Sequence, residues 1–196
     1  MALYRLSSAN RADRTVTVTR AADGSWRVDI PQGALGGTAD VAVARTRTGL
    51  YQCGLTWTAG VSPGCVRVGG PNARLASAVD PRVQHVFVDW LEVLTDRRSA
   101  IAVTTTAPLA GVRGACFSVE SNSTSLAAPL DVGIYCYAAD GTLTGARLGF
   151  GTLVLASTPT GPPAEVTLPA PTVDAAPLPV AAPPAPDSTA EVEAPG

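Results

Sequence analysis

Residues 14–30 read RTVTVTRAADGSWRVDI, and this stretch decides the fold. Residues 15–19 and 26–30 each alternate apolar and polar side chains with period two, as half-buried strands do. Ala22-Asp23-Gly24 between them reads as a three-residue hairpin loop in which Gly24 takes the left-handed position. That loop length sets Val18 opposite Val28 and Val16 opposite Ile30, so all four share one face.

The same logic recurs at Ala139-Asp140-Gly141, which joins VGIYCYA to TLTGARL. Further strands are expected at 39–47, 50–55, 65–68, 100–106, 113–119, 150–156 and 165–168. Strands arriving in consecutive hairpins predict an antiparallel meander. One segment departs from the pattern. Asp80-Pro81 reads as a cap followed by Pro at the first helical position. Val83, Val86, Phe87, Trp90, Leu91 and Leu94 then recur at three- and four-residue spacing, with His85, Asp89, Glu92 and Asp96 on the opposite face. An amphipathic helix over about residues 81–96 is predicted, and a sheet curled around it is the economical way to bury its stripe. The expected class is α+β, mostly β: an unclosed, curved antiparallel sheet wrapped around one helix.

Composition bounds the rest. In 196 residues, 46% hydrophobic content supplies a real core, and 17 Pro with 19 Gly argue against a helical bundle. The net charge is −2 and every basic residue is Arg, without the basic cluster that nucleic acid requires. Residues 1–158 hold all 14 Arg and 11 acids, whereas 159–196 hold five acids and no base. Eleven of the 17 prolines also fall in that last stretch. Residues 1–168 are therefore expected to form the domain and 169–196 a disordered, Pro/Ala-rich acidic tail. The tail reads as a spacer, with recognition by an aromatic-grooved domain as the alternative.

No basic, apolar leader opens the chain, and no run approaches the ~18 apolar residues of a membrane span. Cys53, Cys65, Cys116 and Cys136 sit inside strand-like sequence, with no CxxC spacing of the zinc-ribbon or thioredoxin kind. Their even count and hairpin-like spacing predict the disulfides Cys53–Cys65 and Cys116–Cys136, four buried thiols being the alternative. Such bonds form in oxidising compartments, so the expected location is extracytoplasmic, with an export signal missing from the recorded start.

Catalytic patterns fail one by one. Gly60-Val61-Ser62-Pro63-Gly64 matches the G-x-S-x-G nucleophile elbow, but Pro63 lacks the backbone N–H that the oxyanion hole needs. His85 and Asp89 stand at helical spacing on the face expected to meet solvent. Asn122-Ser123-Thr124 fits a glycosylation acceptor, a frequent chance match, and the Lys-free, Ala/Arg/Val-rich composition suggests a GC-rich genome. No phosphate loop, dinucleotide fingerprint or metal-ligand cluster is present. The reading is a non-enzyme with no cofactor and no metal.

The opening YRLSSANRADRTVTVTRAADGSWRVDI resembles the start of the half-barrel in LolA-like periplasmic carriers. More narrowly, it is similar to actinobacterial envelope lipoproteins of the LppX and LprG kind. The pair GLYQC and GCVRV resembles the strands that follow, and GACFSVE, IYCYAADGTLT and LGFGTLVLAS the later half of the same sheet. The resemblance covers residues 3–158; the family's N-terminal helix and lipobox Cys are missing and the Pro-rich tail is extra. It implies an apolar cavity that carries acyl chains. Small residues lining the concave face would leave such a cavity open, and the candidate lining is Val83, Phe87, Trp90, Leu91, Leu94, Ile101 and Val103. The expected function is an exported envelope protein that binds or carries a lipid or lipidated molecule. The alternative is a ligand-free interaction or sensor module that meets an envelope protein partner.

Overall fold

The computed structural model describes residues 1–56, 62–88, 101–121 and 131–182. Among them run β1 (Ala2–Ser7), β2 (Arg14–Arg20), β3 (Trp26–Ala34), β4 (Ala39–Arg45), β5 (Leu50–Gly54), β6 (Gly64–Gly69), α1 (His85–Val88), β7 (Ile101–Thr106), β8 (Ala115–Ser121), β9 (Gly133–Tyr137), β10 (Leu143–Leu148) and β11 (Gly151–Leu155). The strands form one antiparallel sheet in the order β6-β5-β4-β3-β2-β1-β11-β10-β9-β8-β7. Two meanders are thus fused back to back. Each is built from local hairpins, and they meet where β1 pairs with β11 through Tyr4↔Leu155 and Leu6↔Leu153. The sheet is not closed, and β6 and β7 are its edges.

The deciding hairpin has the expected register, with Val18 opposite Val28. Gly24 adopts φ +85°, the left-handed conformation that the loop requires. The second loop repeats the geometry down to its side chains. Asp23 Oδ1 accepts the Ser25 N–H and Asp140 Oδ1 accepts the Thr142 N–H, both at 2.9 Å.

Alternation along the strands sorts the side chains onto two faces. The inner face carries the main core, in which Leu6, Val16, Val28, Val41, Val43 and Leu153 are fully buried. Each such side chain stabilises the fold by roughly 1.5–3 kcal/mol. The outer face carries two small clusters, each centred on a disulfide. Cys53 pairs with Cys65 across β5–β6, and Cys116 with Cys136 across β8–β9. Leu168 and Ala170 cover the first; Leu109 and Val112 cover the second. Both expected disulfides are present, and they fit an oxidising, extracytoplasmic compartment.

The structure corrects the start of the helix. Asp80 precedes a proline and is extended, and Arg82 turns left-handed at φ +63°. Asp80 Oδ1 accepts the Arg82 N–H at 2.9 Å, closing a turn where the first helical turn was expected. The helix begins at His85, buries Val86 and Phe87, and is described to Val88. Residues 89–96 of the expected helix, with Trp90, Leu91 and Leu94, lie outside the described residues, as does the Asn122-Ser123-Thr124 triplet.

The expected disorder from residue 169 is also corrected, as far as 182. Residues 163–182 form a strap. It begins on the outer face, where Val166 N–H bonds Ser25 Oγ at 2.9 Å and Arg27 Nη1 bonds the Thr167 carbonyl at 3.2 Å. Residues 165–168 therefore dock on the sheet without joining it as a strand. The strap then rounds the β6 edge: Cys65 N–H donates to Pro171 O at 2.8 Å and Val173 N–H to Cys65 O at 2.9 Å. Finally it reaches the inner face, where Leu178 packs on the main core. Buried Gln52 clamps it there, with Oε1 accepting the Leu178 N–H at 2.6 Å and Nε2 donating to Leu178 O at 2.9 Å. Proline denies this segment regular structure of its own, but the exposed edge and the Gln52 amide offer it partners. Residues 183–196 of the expected tail lie outside the described residues.

Candidate functional site

A cavity of about 630 Å³ opens at the end of the inner face where β1 and β3 finish and β2 begins. Its apolar wall is Ile30, Val83, Leu148, Phe150 and Val180. The last of these belongs to the strap, whose Pro179 and Val180 carbonyls accept the Leu35 and Gly36 N–H groups at 2.8 Å beside the cavity. Its polar side is Ser8, Arg11, Arg14 and Gln32, with backbone from the β10–β11 turn. No acidic residue lines it among the described residues. A smaller cavity of about 260 Å³ lies at the other end, between Tyr4, Val18, Phe87 and Leu143.

Of the seven expected lining residues, Val83 lines the larger cavity and Phe87 the smaller one. Both are buried in the main core, and the Phe87 ring packs on Tyr4 with centroids 4.8 Å apart and the planes tilted by 51°. The Tyr4 hydroxyl donates to the Leu143 carbonyl at 3.0 Å, and burial pushes its pKa up to about 12. Ile101 and Val103 lie on the inner face of β7, in register with Ser121 and Val119. Ile101 packs on the core, whereas Val103 is 45% exposed; neither lines either of these two cavities. Trp90, Leu91 and Leu94 are outside the described residues. The structure adds Arg11, Arg14, Phe150 and Val180, which the sequence reading missed.

His85 is the clearest departure from expectation at this end of the molecule. Its Nε2 lies 2.9 Å from Asp80 Oδ2 and its Nδ1 3.2 Å from Asp131 Oδ2, so the ring sits between two carboxylates rather than on a wet face. Arg82 pairs with Asp131 from the other side, and the Tyr135 hydroxyl donates to the Asp131 carbonyl at 2.7 Å. Burial acts to raise Asp80 and Asp131, but the His85 hydrogen bonds, joined by Gln84 at Asp80 and Arg82 at Asp131, hold both below the usual carboxylate value. The cluster ties the turn before α1 to the approach of β9. Its groups bond one another rather than surrounding an empty centre, and no metal-holding set of His, Cys, Asp and Glu gathers among the described residues.

No helix among the described residues is long and apolar enough to cross a membrane. Comparison of the chain with known protein families, with curated proteins and with solved structures finds no match.

Proposed function

We propose that this protein is an exported envelope domain of the LolA-like kind, an unclosed half-barrel that packs against α1 and binds or carries an acyl-chain ligand on its inner face. The observation that carries the reading is the larger cavity, set in the apolar face of an open antiparallel sheet. Its volume of about 630 Å³ falls within the ~300–1,000 Å³ of small-molecule sites. An apolar wall with a few polar groups at its rim is the form that small-molecule sites take. The two disulfides support a periplasmic or cell-envelope setting.

The His85 cluster is read here as structural. A carboxylate on each ring nitrogen leaves neither positioned to take a proton from a nucleophile. The alternative, a ligand-free interaction or sensor module, draws on the dense packing of Leu6, Val16, Val28 and Val43, which fill the middle of the inner face.

Filling the cavity separates the two readings. A fluorescent fatty acid should bind the parent protein saturably, and Val83→Trp should weaken it by at least about tenfold while the fold persists. No binding to the parent would leave the interaction module in the lead.

A further inference from the structure

Arg14 is the first residue of β2 and, by alternation with buried Val16 and Val18, belongs to the inner face. It is half-buried. Its Nη1 donates to Pro31 O at 3.2 Å and Gln32 O at 3.4 Å, and its Nη2 to Ser8 Oγ at 3.0 Å, while its Nε is buried with no partner. Every one of these partners is uncharged. Arg11 stands beside it, with Nη2 donating to Gly36 O at 3.1 Å. Neither guanidinium forms an ion pair among the described residues. Asp13, between them in sequence, turns instead to Arg5 at 3.7 Å and to the Ser7 hydroxyl at 2.7 Å. Arg147 also borders the cavity, but its alternation with buried Ala146 and Leu148 puts its side chain on the outer face.

The other partly buried arginines among the described residues are Arg27, which meets Asp29 at 2.8 Å, and Arg45, which lies over the Trp26 ring 5.3 Å from its centroid. Half-buried Arg14 and exposed Arg11 thus bring two cations to one mouth whose lining holds no acid among the described residues. Burial and the adjacent Arg11 charge both pull Arg14 below its ordinary pKa. The backbone around them is also held in place. Gln32 is left-handed at φ +55°, fixed by Asp40 Oδ1 accepting its N–H at 2.8 Å and by Arg14 on its carbonyl.

We infer that Arg11 and Arg14 form the headgroup site for an anionic lipid whose acyl chain lies along Ile30, Val83, Leu148 and Phe150. This rests on the carrier reading and names the ligand class for it. A carboxylate or phosphate headgroup supplies the charge that the two guanidinium groups lack. The adjoining apolar wall selects a lipid over a free anion.

The test is calorimetric titration of the full-length, disulfide-bonded protein with three probes: oleate, its uncharged counterpart monooleoylglycerol, and inorganic phosphate. Oleate should bind at least about tenfold more tightly than monooleoylglycerol at low salt, and the margin should shrink as salt rises. Arg11→Gln and Arg14→Gln should each weaken oleate more than monooleoylglycerol and so shrink the margin, whereas Arg14→Lys should retain more of it. Arg11 is the safer variant, because its guanidinium makes one hydrogen bond and holds no strand. Equal binding of both lipids, unaltered in the variants, would overturn the headgroup site and leave the carrier reading standing. Phosphate binding as tightly as oleate would overturn the lipid in favour of a free anion. Binding of none of the three would remove the carrier reading and the headgroup site together.

Discussion

A Cβ placed on Gly114 would collide with the Tyr137 carbonyl oxygen, at a φ of +100° that other residues rarely adopt. At Gly24, φ +85°, the same atom would meet nothing within 4 Å. The two glycines therefore separate conformational strain from steric conflict. Gly24→Ala should cost about 1 kcal/mol, and Gly114→Ala roughly 3 kcal/mol or more, because the β8–β9 pairing must shift to admit it. Urea denaturation of the two variants gives both values. The acid side of the stability curve is also set by single residues. A carboxyl held below its ordinary value of 3.8 stabilises the fold fully above that value, and this contribution is lost as pH falls through the folded value. Asp80 and Asp131 should thus add stability that persists near neutrality and disappears below about pH 4. His85→Gln should reduce the difference in unfolding midpoint between pH 7 and pH 3; an unchanged difference would remove His85 as the cause. Nothing local in the sequence announces this cluster. His85 and Asp131 are separated by 46 positions, and a helical wheel drawn from Pro81 places the ring on the wrong side once Arg82 has turned left-handed.

Single elements show why the hairpins were legible and the strap was not. Hairpins at Gly24 and Gly141 carry their turn, register and face within a dozen residues, so the alternation predicts them and the cross-strand disulfides besides. The strap offers no such pattern. Its prolines suit an extended chain, and what orders it is supplied by distant groups: the free edge at Cys65 and the buried amide of Gln52. Gln52→Ala removes that amide and leaves the Leu178 backbone without its partners, a loss of about 1–3 kcal/mol. Limited proteolysis should then cut within residues 171–182 well before the sheet is attacked; protection equal to that of the parent would show that the β6 edge holds the strap alone. The disulfides act at the same scale. They close loops of 12 and 20 residues, worth about 3 kcal/mol each on chain entropy. Reduction should therefore lower the melting temperature by about 6–12 °C per bond, checked by calorimetry with and without reductant.

At the scale of the whole molecule, the pairing that makes one sheet of two meanders is β1 with β11, residues about 150 positions apart in sequence. Local pattern reports each meander but not their junction, since any free edge strand offers the same ladder of donors and acceptors. The larger cavity belongs to this junction. It lies where the ends of β1 and β3 meet the β10–β11 turn, so its arginines are held within the first half but its apolar wall is completed only when the two halves come together. The central claim is that this site holds a lipid. Native mass spectrometry of protein produced in an oxidising compartment, before and after solvent extraction, tests it most directly. The account predicts a co-purifying mass that disappears on extraction, leaving a chain lighter by the four hydrogens of two disulfides. A clean apo mass that stays unchanged when lipid is added back would contradict it.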